Sequence, residues 1–232
     1  MPQVQRKSSA GDQTRHQLIL AAERLFAESG IDAVSLRQVN VAAGQKNSSA
    51  AHYHFGSKET LILSIYQYRM AHVNERRMAT LDQLERNSRQ HELRELIGAI
   101  VFPIVDEIDA DDSGRNYIRF MAQAIGHPQL DLIALWQQEN SGGLERILDL
   151  LRAALPDVPD PIFGQRFGLA FEQIIHSLAD REKLRKTAKK TFKVDASMFV
   201  NNLVDCVTGA MAAPVSMHTR VDLARLNKHR KP

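Results

Sequence analysis

Cysteine is nearly missing from this sequence, which contains only Cys206 among 232 residues. A single thiol excludes an internal disulfide framework and any zinc site built from several cysteines. Turn-forming residues are also few, with 12 glycines and 8 prolines, below the usual combined share of roughly 12%. This scarcity argues against an all-β fold with many turns and favours a helical one.

Long apolar segments are missing as well. The longest nearly continuous apolar run, Leu96 to Val105, is far shorter than the roughly 20 residues that a transmembrane helix needs. The charged N-terminus is not followed by the apolar stretch that a secretory signal contains. We therefore expect a soluble protein of the cytoplasm that has no membrane partner.

The charge balance is only mildly basic. A net charge of +3 and an isoelectric point near 9.1 permit a polyanionic partner without requiring one. The positions of the basic residues are therefore more informative than their number.

The N-terminal quarter of the chain carries signals for three short helices and the start of a long one. Apolar residues recur there at helical spacing, and glycines follow the first two helical patterns. Capping boxes at Thr14 and Ser35 and an N-cap at Ser57 mark three helix starts. A further short helix is predicted over 50–55, and the helix after Ser57 is predicted to extend to about residue 86.

The rest of the chain continues the helical pattern without lasting strand-type alternation. We predict an all-α fold, in which an N-terminal three-helix helix-turn-helix unit is joined by a long helix to a larger helical body. The further helices are predicted over 91–109, 115–126, 130–155, 161–181 and 195–213. The predicted divisions are a flexible arm (1–12), a helix-turn-helix domain (13–58), a helical body (59–213) and a basic, disordered tail (214–232).

The third short helix carries small and hydrogen-bonding side chains, among them Ser48 and Ser49 at its start and His52 within it. Small residues let a helix backbone approach the DNA major groove, and hydroxyl and imidazole groups reach base edges or phosphates. Lys58 sets a positive charge beside the free N–H groups of the next helix, an arrangement suited to one phosphate. On spacing alone, an ordinary helical hairpin with a polar face remains an equal alternative.

Four segments of this region form a recognisable pattern: Ala21 to Gly30, Ser35 to Val39, Ala42 to Gly44 and Tyr53 to Leu61. Taken together, they resemble the DNA-binding region of TetR-type transcriptional regulators. The resemblance covers roughly the first quarter of the chain. The two departures from that family are a turn that is one residue longer and a histidine, His52, where a tyrosine is commonest, with the aromatic residue at Tyr53.

The resemblance implies a homodimer on double-stranded DNA with a palindromic operator, paired through the last two predicted helices. Two-fold pairing sets two reading units about 34–36 Å apart on one duplex. The implied phosphate contacts at the start of the second helix are Ser35 and Arg37. The implied groove-facing residues are Lys46, Asn47, Ser48, Ser49 and His52. The implied backbone contacts are Tyr53, His54 and Lys58.

The resemblance also implies an effector pocket inside the helical body. We expect a repressor that an apolar or amphipathic small molecule releases from DNA. The alternative is a DNA-binding protein without such an effector, controlled by a protein partner or acting architecturally. For each side chain taken singly, plain core is the more frequent role. The candidate ligand-binding residues are Phe102, Phe120, Met121, Trp136, Phe167 and Phe171.

Motifs of an enzyme are missing from the sequence. It has no nucleophile elbow, phosphate-binding loop or His-Glu-x-x-His pattern, so we expect no catalytic site, metal or cofactor. His52 and His54 lie two residues apart and point to different faces of a helix. The basic run 181–190 is expected to be a solvated connection between helices.

Overall fold

The computed structural model describes residues 10–128, 130, 142–187 and 195–229. Within these ranges the chain forms helices and the turns between them, and no strand. The all-α prediction is therefore confirmed. The helices are α1 (Ala10–Ser29), α2 (Leu36–Ala42), α3 (Ala50–Phe55), α4 (Lys58–Arg86), α5 (Leu93–Ala110), α6 (Asp112–Ile125), α7 (Gly142–Ala154), α8 (Asp160–Thr187), α9 (Ala196–Ala212) and α10 (Met217–His229).

The first three helices form a compact head, whose local signals are largely as predicted. The Ser35 capping box is present: the Ser35 hydroxyl accepts a hydrogen bond from the Gln38 amide, and the Gln38 side chain accepts one from the Ser35 amide. The predicted start of α1 at Thr14 is wrong, because the helix begins at Ala10. An aspartate in its first turn, Asp12, favours this earlier start through the positive end of the helix.

Helix α4 connects the head to the body. Its 29 residues span about 43 Å. The Ser57 side chain accepts a hydrogen bond from the Thr60 amide at 3.1 Å, so the predicted N-cap is confirmed. One face of the helix is buried along its whole length, from Leu61 in the head to Leu81 in the body.

The body is built from helices packed around α4 and α5. Helix α6 packs against α5 and α8, and α9 packs against α5 and α8 as well. Pro103 lies inside α5, and the helix continues on both sides of it. The shared core of the body consists mainly of aliphatic residues, including Leu96, Ile104, Ile118 and Leu178.

Helix α6 also packs directly on the head. Arg119 and Gln123 donate hydrogen bonds to the Ala27 carbonyl at 2.9 and 3.4 Å, near the C-terminal end of α1. The rings of Phe26 and Phe120 stack with their centroids 6.0 Å apart. The head is therefore held by a helix of the body as well as by α4.

The C-terminal part of the chain contains more helix than the sequence predicts. Helix α8 extends to Thr187, so the basic run 181–190 begins inside a helix, where Arg181 pairs with Asp109 at 3.2 Å. The predicted disordered tail is also wrong for 217–229, which form α10. The Ser216 hydroxyl caps this helix by accepting a hydrogen bond from the Thr219 amide.

Within the described ranges, no single helix is long and apolar enough to cross a membrane. The segments Ala196–Ala212 and Met217–Leu226 pass that test only as a pair, bent by 57°. The same ranges hold no group of three histidine, cysteine, aspartate or glutamate side chains placed to bind a metal ion.

Candidate nucleic-acid interface

Helices α2 and α3 lie against α1 with their apolar sides, and this packing turns their polar sides outward. Val39 of α2 and Ala51 and Phe55 of α3 are buried in the core of the head. Between the two helices, Gly44 adopts a φ of 66°, a conformation that glycine reaches without strain. The chain therefore reverses sharply there and presents α3 on the outer surface of the head.

Asn40 holds the turn and α3 in place. Its side-chain amide donates a hydrogen bond to the Ser48 carbonyl, and its oxygen accepts one from the Ala51 amide at 2.7 Å. The Asn40 side chain is buried, so both bonds replace contacts with water. The sequence analysis missed this residue, although its spacing from Leu36 and Ala43 places it on the inward face of α2.

The residues predicted to contact DNA lie on one continuous part of the head, at the start of α2, in the turn and in α3. All of them are exposed except His54 and Lys58, which are half-buried. Tyr53 has 84% of its surface exposed. The exposed members are Ser35, Arg37, Lys46, Asn47, Ser48, Ser49, His52 and Tyr53.

The two half-buried members already have contacts within the head. The Lys58 ammonium lies 3.4 Å from the Asp32 carbonyl and 6.0 Å from the centre of the Phe26 ring. The His54 ring lies edge-on to Tyr53, with centroids 5.3 Å apart. A phosphate contact from Lys58 would therefore replace one weak hydrogen bond to a carbonyl.

Charge on this surface is positive. Arg37 and Lys46 are exposed and form no ion pair with any described residue. The nearby carboxylate of Asp32 is paired with His127 at 3.1 Å. Free cations on an exposed helix-turn-helix surface suit the phosphates of a duplex.

A buried ion cluster joins the head to the body. Arg69 of α4 binds the Glu23 carboxylate of α1 through two hydrogen bonds of 2.8 Å and Glu107 of α5 through a third. Arg69 also donates a bond of 2.6 Å to Ser113 of α6. Arg76 binds the second oxygen of Glu107 at 2.9 Å. Four helices therefore meet at one guanidinium.

The two carboxylates of this cluster have opposite pKa shifts. Burial raises the pKa of Glu23 above its ordinary value, against the hydrogen bonds and charge of Arg69. Burial also acts to raise the pKa of Glu107, but hydrogen bonds from Arg69 and Arg76 outweigh it and hold that pKa below its ordinary value. Glu107 is thus the more firmly ionised of the two.

The body encloses a cavity of about 20 Å³, which has room for about one water molecule. Of the described residues that were predicted to bind a ligand, only Phe171 lines it. Phe120 and Met121 are fully buried in the core, and Phe167 is half-buried against that core. Phe102 is 38% exposed, because α5 turns it outward. Trp136 lies outside the described residues.

The described members of the predicted ligand-binding set are thus spread over the core, the cavity wall and the surface. Helical spacing places aromatic residues on the body helices, but it does not distinguish a side chain that fills the core from one that lines a cavity. The polar residues that do face the cavity are Tyr66, Arg77 and Tyr117. Arg77 was missed, because on α4 it follows Arg76 in what reads as a charged, solvated stretch.

Two family models match this chain. One, described as bacterial regulatory proteins of the tetR family, matches residues 18–65, and the other, described as a tetracyclin repressor-like C-terminal domain, matches residues 98–210. A curated relative, the HTH-type transcriptional dual regulator CecR of Shigella flexneri, is 33% identical over 118 residues. The match covers 49% of this chain and 52% of CecR, so the chain spans about half the length of this relative.

Solved structures share the fold of this chain. A protein of Shewanella sp. PV-4, described as a tetR family transcription regulator, has a TM-score of 0.61 at 16% identity, covering 87% of this chain and 99% of its own. A TetR family transcription regulator of Marinobacter aquaeolei VT8 has a TM-score of 0.53 at 18% identity, with coverages of 86% and 95%. At these identities the likeness concerns the fold alone. With both family models matched in order along one chain, the protein belongs to the TetR family of DNA-binding transcriptional regulators.

Proposed function

We propose that this regulator is a repressor that binds a palindromic operator as a homodimer and is released by a small amphipathic molecule. The single observation that carries the DNA-binding part is the exposed α3, held outward by Asn40 and bearing Tyr53 with 84% of its surface exposed. A helix in this setting fits the major groove with its small residues against the base edges. The proposed place of action is the cytoplasm, where the operator DNA lies.

The proposed dimer forms through α8 and α9. The outward side of α8 carries Gly164, Gly168 and Leu169, and Leu169 is 67% exposed. The outward side of α9 carries Cys206 and Gly209, which are exposed as well. Small residues around an exposed leucine let two helix pairs approach closely and bury apolar surface. The two heads of such a dimer would then read two half-sites of one duplex.

The proposed release works through the contacts between body and head. Arg119 of α6 and the cluster at Arg69 both bind α1, so a shift of α4 or α6 reaches the head without an intermediate loop. A hundredfold loss of DNA affinity corresponds to about 2.7 kcal/mol, within the usual range of allosteric coupling. Modest repacking of helices is enough for this change.

A second candidate function is favoured by the small size of the cavity. A volume of about 20 Å³ does not hold a metabolite unless the surrounding side chains move apart. The second candidate is therefore a DNA-binding protein without a small-molecule effector, controlled by a protein partner or acting architecturally. The two candidates share the operator contacts and differ only in what changes DNA affinity.

Selection of random DNA duplexes on the purified full-length protein tests the DNA-binding part. We expect a palindromic consensus, with affinity reduced at least tenfold by Tyr53→Ala and unchanged by Gln83→Ala, a substitution of an exposed residue on α4. Because Tyr53 is exposed, its loss leaves the fold intact. A chain that selects no sequence, or a Tyr53→Ala variant that binds as well as the original, would overturn the proposal.

A further inference from the structure

Arg77 is the largest fully buried side chain of the molecule's described part, with 1% of its surface exposed. Its Nη1 atom donates a hydrogen bond of 2.6 Å to Asn74, one turn earlier on α4. Its Nε atom has no hydrogen-bond partner, and no described carboxylate forms an ion pair with it. A buried cation is thus left with one neutral partner.

Arg69, two turns earlier on the same helix, differs from Arg77 in having charged partners. Arg69 is equally buried, but it has two carboxylate partners, Glu23 and Glu107, and a hydroxyl partner. Burying a guanidinium without a carboxylate is costly, because water is lost and no opposite charge replaces it. An apolar side chain of the same volume would fill this space equally well. Arg77 is therefore unexplained by the fold.

Arg77 is one of the residues that line the cavity of the body. The other polar groups that line the cavity are the phenol rings of Tyr66 and Tyr117, and apolar side chains complete its wall, among them Ile100 and Phe171. A forked cation at one side of an apolar cavity matches a carboxylate, whose two oxygens accept its parallel N–H bonds. We propose that the effector is a carboxylate with an apolar body, and that its acid group pairs with Arg77.

This inference rests on the proposed function, since it names the effector class of the proposed repressor. The cavity has room for about one water molecule, so the ligand enters as the wall opens. Met70 and Leu144 lie on that wall, and unbranched methionine side chains repack readily. A desolvated anion beside Arg77 then supplies the missing charge partner, which favours the open wall.

The cavity is in contact with the ion cluster that holds the head. Tyr117 lines the cavity, and the Arg69 guanidinium lies 5.9 Å from the centre of its ring. Arg69 in turn binds Glu23 of the head. A ligand that displaces Tyr117 therefore changes the surroundings of the cation that fixes α1 to α4.

The first test asks whether Arg77 serves the fold or a ligand. Arg77→Met replaces the buried charge by an apolar chain of similar length. We expect the ligand-free variant to unfold at the same temperature as the original chain or at a higher one. If Arg77→Met unfolds at a clearly lower temperature, Arg77 is a structural residue and the proposal is overturned.

The second test uses matched pairs of acid and neutral amide: octanoate with octanamide, and phenylacetate with phenylacetamide. For the full-length protein we expect the acids, and not the amides, to raise the melting temperature by several degrees at saturation. Arg77→Met should lose this shift, whereas Arg86→Met, an exposed arginine of the same helix, should keep it. Equal shifts by acid and amide, an equal shift by sodium chloride alone, or no shift by either acid would each overturn the proposal.

The third measurement separates this inference from the proposed function. Saturating acid should lower operator affinity about tenfold or more for the original chain and leave Arg77→Met unaffected. If the operator is bound but the acids change nothing, the carboxylate effector is wrong and the DNA-binding function stands. If no operator is bound at all, the proposed function fails, while the melting-temperature comparison still decides the ligand class.

Discussion

Arg69 of α4 and Glu23 of α1 form a two-pronged ion pair, with both hydrogen bonds 2.8 Å long and both side chains buried. The pair fixes the orientation of the head on α4, because two parallel hydrogen bonds allow the carboxylate only one orientation relative to the guanidinium. Glu107 of α5 also binds Arg69 at 2.8 Å, and Arg76 offsets the charge of Glu107 at 2.9 Å. The head is therefore attached to α4 by an ion pair in which each oxygen of the Glu23 carboxylate accepts its own hydrogen bond from Arg69.

Arg69→Met should destabilise the protein strongly. The substitution leaves Glu23 and Glu107 buried without their main partner, which costs about 3–5 kcal/mol of unfolding free energy in urea titrations at neutral pH. Arg76→Met is the matched control, because Arg76 binds Glu107 alone and is 40% exposed in its side chain. Its cost should be below about 1 kcal/mol. Equal losses in the two variants would show that the pair does not hold the head.

Asn40→Ala should weaken operator binding although Asn40 does not face DNA. The variant leaves the Ala51 amide and the Ser48 carbonyl without their partner, a loss of about 1–3 kcal/mol of stability. Gln45→Ala removes contacts on the half-buried side of the same turn and should cost under about 0.5 kcal/mol. Urea unfolding and operator titration of both variants check the difference. A stable Asn40→Ala variant with full affinity would contradict the role of this clamp.

Local signals in the sequence were sufficient for the reading head. Helix α3 was predicted over the range it occupies, because Gly44 follows the end of α2, Gly56 ends α3 and Ser57 caps the next helix. These signals act over a few residues, so they do not depend on the rest of the fold. The exposed positions of Tyr53 and its neighbours followed from the apolar residues on the opposite side of the helix.

Other features depend on residues far apart in the sequence and could not be predicted. Arg69 is buried because Glu23, 46 residues earlier, and Glu107, 38 residues later, pack against it. Hydrophobic periodicity in a single sequence assigns arginines to the exposed face of a helix. The burial of Arg77 was not predicted for the same reason. The outward turn of Phe102 is likewise set by which side of α5 its neighbours cover.

Acidification should destabilise the protein through Glu107. The folded-state pKa of Glu107 lies below its ordinary value of 4.5, so its contribution to stability is complete above that pH and is lost as the pH falls through the lower folded pKa. Glu107→Gln should flatten the decline of the unfolding free energy below pH 4.5. Glu145→Gln, on the exposed side of α7, should leave the decline unchanged. Urea titrations from pH 7 to 3 give both slopes, and parallel slopes in all three proteins would contradict this assignment.

Leu169→Glu should convert the proposed dimer to a monomer. The leucine is 67% exposed among small residues of α8, and a carboxylate there would be buried against its own copy in a two-fold interface. Sedimentation should show one chain per particle, with operator affinity lower by about a hundredfold as the second head is lost. Gln83→Glu adds the same charge on an exposed part of α4 and should leave a dimer. If Leu169→Glu still sediments as a dimer, the interface lies elsewhere.

Lys58→Ala should reduce the salt dependence of operator binding. In the structure its ammonium has only a 3.4 Å bond to the Asp32 carbonyl, a contact that a phosphate readily replaces. Each phosphate contact contributes about one unit to the slope of log affinity against log salt concentration, so the slope should fall by about one per head. Arg225→Ala on α10 is the control, because Arg225 is an exposed cation already paired with Asp222 and distant in sequence from the head. A slope that changes equally in both variants would mean that general charge, and not a phosphate at Lys58, sets the salt response. An unchanged slope for Lys58→Ala would mean that this lysine keeps its bond to Asp32 when DNA is bound and serves the head alone.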